Sequence, residues 1–137
     1  MSLVLDGSVT LAWIYPDETT PQVMAVFDHV IVQGAFVPEL WKIEVASSLS
    51  NGIRRKRIDW TGRAEALSDL EAMFISIDRE TGDRVWHETL VLADKHRLTV
   101  YDATYLELAQ RLSLPLATLD EDLRTAAQSE SIPLLGK

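Results

Sequence analysis

The stretch Leu3-Val4-Leu5-Asp6-Gly7-Ser8 decides how the rest of the chain is read. Three consecutive apolar residues stopped by an acid and a glycine predict a short strand buried on both faces, the pattern of the centre of a parallel sheet. Open α/β folds place their sites where such strands end, at the carboxyl edge of the sheet. Asp6 is expected on that edge, with Ser8 just beyond it.

Working outward, Ser8 to Tyr15 predicts a short helix ended by Pro16. Thr19 or Thr20 can cap the next helix, with Pro21 at its first position and Val23, Met24, Val26, Phe27 and Val30 on its apolar face. Gly34 closes that helix, and Ala35-Phe36-Val37 reads as the second strand. Pro38 opens a long helix to about Arg55, with Leu40, Ile43, Ala46, Leu49 and Ile53 at helical spacing. Asp59 suits the cap of a helix from Trp60 to about Met73, and Phe74-Ile75-Ser76-Ile77 suits a strand ending at Asp78. A helix from about Asp83 to His96 turns Val85, Leu92 and Ala93 inward. Leu98 to Tyr101 is expected to be extended and to run into a helix that begins at Asp102 and continues through Leu112. Pro115 to Thr118 is a strand, Glu121 to Gln128 a helix, and Ile132 to Leu135 an edge strand. Strands alternate with helices throughout, so the expected architecture is α/β: three layers, α/β/α, around a central, mainly parallel twisted sheet.

The 137 residues are expected to form one domain, residues 1–137, with 47% hydrophobic and 25% charged residues, as in an ordinary globular chain. No apolar run approaches the ~18 residues of a membrane span. Asp6 and Gly7 break the N-terminal apolar run where a signal peptide would need continuity. A cytoplasmic protein with no membrane partner is therefore expected. The lack of cysteine removes thiolate nucleophiles, zinc–sulfur sites and disulfides together. The net charge of -8, from 13 basic and 21 acidic residues, is not that of a non-specific nucleic-acid binder. The bases nonetheless cluster at Arg54-Arg55-Lys56-Arg57, which suits either a helix end with cations against its dipole or a phosphate-contacting patch.

Four carboxylates stand at informative places. Asp6 follows the first strand and Asp120 the strand Leu116-Ala117-Thr118-Leu119, Asp102 starts a helix, and Glu44 lies inside the helix from Pro38. Chain leaving neighbouring strands of a doubly wound sheet converges, so Asp6 and Asp120 can meet, with Asp102 aimed at the same place. Singly, Asp6, Asp102 and Asp120 also suit helix caps. Glu44 does not, because Trp41, Val45 and Ser48 around it are apolar or small and burial there needs compensation. Carboxylates gathered in one pocket repel and raise one another's pKa, a conflict that a divalent ion relieves. Oxygen ligands alone select Mg²⁺, with Mn²⁺ as a substitute, and the chemistry that follows is metal-assisted phosphodiester hydrolysis.

Leu5-Asp6-Gly7-Ser8, Val37-Pro38-Glu39-Leu40-Trp41 with Glu44-Val45-Ala46, Tyr101-Asp102-Ala103-Thr104-Tyr105, and Ala117-Thr118-Leu119-Asp120 together resemble a PIN domain. More narrowly, the chain is similar to the VapC-type toxins of bacterial toxin–antitoxin pairs, over its whole length. The resemblance implies a Mg²⁺-dependent endoribonuclease in which Asp6, Glu44, Asp102 and Asp120 form a catalytic, metal-binding quartet, Asp6 and Asp102 being the most direct ligands. It also implies accessory hydroxyls at Ser8 and Thr118, a homodimer, and an antitoxin whose C-terminal segment covers the active groove. Glu121 and Asp122 add acid beside Asp120 and can assist or substitute for it. Arg54, Arg55, Lys56 and Arg57 are the candidate contacts to the RNA backbone.

His29, His87 and His96 lack ligand spacing and are expected to be structural or on the surface. Trp13, Trp41, Trp60 and Trp86 are expected as core or interface anchors. Glycine-rich nucleotide loops and nucleophile-elbow motifs are absent. Two competing functions remain: a binding module whose acids only cap helices, and an aspartate-based phosphatase, which fails at Ser8, where a second acid belongs.

Overall fold

The computed structural model describes all residues, Met1–Lys137. Its five strands are β1 (Val4–Leu5), β2 (Ala35–Pro38), β3 (Ile75–Asp78), β4 (Leu116–Ala117) and β5 (Leu134–Leu135), all parallel, in the order β3-β2-β1-β4-β5. β1 is the central strand, as its composition requires, and Leu3, Val4 and Leu5 are fully buried. From β1 the chain winds outward through β2 and β3, then returns to the other side of β1 for β4 and β5. That reversal makes the crevice beyond the carboxyl ends of β1 and β4 the topological switch point.

The helices are α1 (Gly7–Ile14), α2 (Pro21–Gln33), α3 (Leu40–Arg54), α4 (Trp60–Ala72), α5 (Thr81–Arg84), α6 (Leu90–His96), α7 (Val100–Leu112) and α8 (Glu121–Ser129). They cover both sheet faces in three layers. Local chemistry explains their starts. Thr20, rather than Thr19, caps α2 through Val23 N at 3.1 Å, Asp59 caps α4 through Gly62 N at 2.7 Å, and Asp120 caps α8 through Leu123 N at 2.8 Å. Gly34 ends α2 at φ +74, where a Cβ would lie 2.9 Å from Phe74 O, so only glycine fits. α7 is the central helix, buried at every residue from Ala103 to Ala109 and packed on β1, β2 and β4.

Four expectations are corrected. Leu98 to Tyr101 is not extended: Thr99 caps α7 by accepting from Asp102 N at 3.1 Å, and Val100 and Tyr101 are already helical. The cap with an acid three residues on outweighs the strand preference of Thr99 and Val100. Pro38 closes β2, paired with Asp78, and α3 starts two residues later. The buried stripe of α3 is Trp41, Val45, Leu49 and Gly52, which leaves Ile43 and Ala46 exposed. The helix expected from Asp83 starts at Thr81 and passes through one wide π-helical stretch, Val85–Thr89. Of the tryptophans, Trp41 is buried and donates to Thr10 Oγ1, while Trp60 and Trp86 are 69% and 83% exposed.

Candidate active site

At the switch point lies an open cleft of about 860 Å³ lined by Asp6, Ser8, Glu44, Asp102 and Asp120. Each of the four acids comes from a different place in the chain: the end of β1, the middle of α3, the first turn of α7, and the start of α8. No basic side chain is ion-paired with any of them. Asp78, the acid at the end of β3, is different. Its carboxylate meets Arg111 at 2.7 Å, so that strand end contributes no unpaired acid.

Asp6 occupies the cap position of α1 but makes no capping bond. Its Oδ2 instead accepts from Thr118 Oγ1 at 2.7 Å and from Ser8 Oγ at 2.8 Å. Both hydroxyls are themselves fixed from behind. Thr118 Oγ1 accepts from Asp120 N at 3.1 Å and Ser8 Oγ from Leu119 N at 3.0 Å. β1 and the segment after β4 are thereby tied to one carboxylate. Asp120 does cap its helix, and Asp102 leaves that task to Thr99. The capping explanation therefore holds for only one of the three aspartates.

Burial pushes the Asp6 carboxyl above its usual range even though two hydroxyls bond it, and Asp120 adds repulsion. Burial also raises Glu44, against the hydrogen bond from Tyr105, with Asp6 and Asp102 adding to the rise. Asp102 is pushed up to about 6, first by burial and then by the charges of Asp120 and Asp6. The cleft thus gathers four acids, none of them ion-paired with a basic side chain.

The donor set fits a hard divalent cation. No three acidic or histidine side chains form a ready-made ligand group, so an ion here would have fewer direct protein ligands, with water completing its shell. Mg²⁺ keeps several waters and needs only one or two carboxylates directly, so unpaired acids spread around an open cleft suit it. Residues that the sequence did not single out complete the lining: Ser47, Ser48 and Asn51 continue from Glu44 along α3, and Tyr101 precedes Asp102. Tyr105, whose hydroxyl donates to Glu44, had no role of its own in the sequence, where it stands only as the end of the stretch Tyr101-Asp102-Ala103-Thr104-Tyr105.

The other expected residues divide. Thr118 is fully buried behind Asp6. Asp122 is exposed outside the cleft, and Glu121 pairs with Lys137. In the basic tetrad, Arg57 lines the cleft but is held by Asp17 and Glu18 and stacked over Tyr15 at 4.0 Å. Arg54 bonds Ser50 and Asn51, and Lys56 lies in a separate depression with Trp60. Arg55 alone of the four lines the cleft with no ion-pair partner. None of the three histidines lines the cleft.

A model of the PIN domain matches residues 3–128. Among its relatives, Ribonuclease VapC3 of Pyrobaculum aerophilum is 31% identical over 123 residues, covering 90% of this chain and 92% of that protein. Ribonuclease VapC9 of Mycobacterium tuberculosis is 27% identical over 130 residues, covering 93% of each. Among solved structures, PAE2754 from Pyrobaculum aerophilum superposes with a TM-score of 0.66 at 24% identity, covering 92% of this chain and 87% of that one. FitAcB from Neisseria gonorrhoeae superposes with a TM-score of 0.60 at 18% identity, covering 98% and 96%. An acid-lined cleft at the switch point of this sheet, on a chain matched almost end to end, leads to one assignment: the protein belongs to the PIN-domain family, among the VapC-type proteins.

Proposed function

We propose that this protein is a divalent-cation-dependent endoribonuclease, the toxin of a toxin–antitoxin pair. The observation that carries the reading is the convergence of Asp6, Glu44, Asp102 and Asp120 on one cleft without a basic partner. The relatives named ribonuclease VapC support it. Asp6 and Asp102 would hold the ion, Mg²⁺ with Mn²⁺ as a substitute, and Glu44 and Asp120 would complete the acidic rim. When bound, such an ion supplies positive charge to a phosphate and acidifies adjacent water. Ser8 and Thr118 keep the Asp6 carboxylate oriented and its charge tolerated. Arg55, which follows α3 and lines the cleft, is the proposed contact to the phosphate backbone of an RNA strand.

The toxin reading includes a protein antitoxin that covers this cleft, and the exposed apolar side chains of Ile43 and Tyr101 at its wall suit such a cover. It also includes a homodimer, checked by the mass of the purified protein in solution. No helix is long and apolar enough to cross a membrane. A catalytic cleft is separated from a binding module by Glu44→Gln, since Glu44 caps nothing. Incubation of total RNA with Mg²⁺ or Mn²⁺ is expected to yield discrete fragments with the native protein and none with the folded variant. Equal fragmentation by both removes Glu44 from the site.

A further inference from the structure

Tyr105 has no exposed surface, yet its hydroxyl reaches out of the core to donate a hydrogen bond to Glu44 Oε1. A buried phenol needs an acceptor, but most acceptors in a core are neutral carbonyls. Here the acceptor is a carboxylate that faces Asp6 and Asp102 and has no basic partner. The bond also spans two elements. Tyr105 lies on α7 one turn after Asp102, and Glu44 lies on α3. The phenol O–H donates and the carboxylate oxygen accepts. Glu44 Oε2 receives no bond from the protein and is left for the cleft.

We infer that Tyr105 is a positioning residue, a brace between α7 and α3 that fixes the Glu44 carboxylate relative to Asp102 and so sets the affinity of the cleft for its divalent ion. The inference rests on Glu44 belonging to the ion-holding acids. Its physical content is that of an outer-shell bond to a ligating carboxylate, whose loss typically weakens metal binding roughly 10- to 100-fold.

Tyr105→Phe keeps the ring and its packing and removes only the donor. Mn²⁺ affinity, followed by calorimetry or by the electron paramagnetic resonance of free Mn²⁺, is expected to fall by about that factor. A variant that melts lower without metal yet binds Mn²⁺ within about two-fold of the native protein has lost packing only, and overturns the inference. Two further variants locate the effect. Glu44→Gln is expected to weaken Mn²⁺ binding, and adding Tyr105→Phe to it is expected to weaken binding no further. If Glu44→Gln leaves affinity unchanged, the reading of the site fails. If Glu44→Gln weakens binding and Tyr105→Phe does not, only the brace fails. Should Tyr105→Phe not fold, the unmodified protein carries the test. The Tyr105 hydroxyl proton resonance is expected to shift during a Mg²⁺ titration, and a resonance that stays in place overturns the inference.

Discussion

At the scale of single residues, the site is a set of carboxylates held in an environment that resists their charge. Asp102 shows it most directly. Its pKa of about 6 in the fold lies above the 3.8 of an unfolded chain, so between those values the native state binds more protons than the unfolded state. Stability of the metal-free protein through this group is therefore greatest at low pH and is lost as pH rises toward 6 and beyond. Urea denaturation in EDTA is expected to show Asp102→Asn more stable than the native protein at pH 7.5, by about 1–2 kcal/mol after allowance for solvent screening, with the gap closing near pH 4. Added Mg²⁺ is expected to stabilise the native protein at pH 7.5 and to leave the variant little changed. Thr118→Val is a second residue-scale test. It removes one of the two hydroxyls on Asp6 and leaves Asp120 N without its acceptor, in a site with no solvent access at Thr118. A loss of about 1–3 kcal/mol in the denaturation free energy is expected. The acids were legible in the sequence because each follows a strand, starts a helix or stands among apolar neighbours. Tyr105 was not, because in a helix buried all round a tyrosine looks like any other core residue, and only the fold reveals where its hydroxyl points.

At the scale of elements, α3 carries Glu44 and α7 carries Asp102, two of the four acids, and each helix depends on one specific contact. Helical spacing points to Leu40, Ile43, Ala46, Leu49 and Ile53 as the inward stripe of α3, whereas the structure buries Trp41, Val45, Leu49 and Gly52. On that buried face Gly52 lets Tyr15 lie against the helix. A Cβ at Gly52 would meet the Tyr15 hydroxyl at 2.2 Å, and that hydroxyl donates to Ser48 O under the stacked guanidinium of Arg57. Gly52→Ala would ordinarily favour a helix by ~1 kcal/mol. Here it is expected to destabilise by about 1–3 kcal/mol through overpacking, read from the urea midpoint. α7 is anchored at its far end by Arg111, which holds the buried Glu107 at 3.0 Å and Asp78 at 2.7 Å. Arg111→Met leaves two little-exposed carboxylates without a cation and is expected to lower stability by about 3–5 kcal/mol, measured by thermal denaturation. The strand ends were also legible, but the start of α7 was not. Thr99 and Val100 look like strand residues until the bond from Asp102 N to Thr99 Oγ1 is seen to begin a helix.

At the scale of the whole molecule, a chain of net charge -8 is asked to engage a polyanion. On the proposed reading the two are reconciled within one cleft: a bound ion would neutralise the acids at the switch point, and Arg55, just past the end of α3, would meet the phosphates. Arg55→Gln is expected to raise KM for RNA, to leave kcat near its native value and to flatten the dependence of binding on salt by a slope of about 1. The parallel sheet with β1 at its centre was readable from Leu3-Val4-Leu5 because only a strand buried on both faces tolerates such a run. The division of the basic tetrad was not readable, because the ion pairs of Arg57 with Asp17 and Glu18 join positions about forty residues apart in sequence.

The central claim is that this acidic cleft cleaves RNA through a divalent ion held by Asp6 and its neighbours. The most direct measurement is the cleavage rate of an end-labelled RNA across a Mg²⁺ titration, native protein against Asp6→Asn, with folding of both verified. Cleavage is expected at defined positions, saturating with Mg²⁺, stopping with EDTA and absent from Asp6→Asn. Cleavage that persists equally in Asp6→Asn, or a folded native protein that cuts no RNA with Mg²⁺ or Mn²⁺, would contradict it.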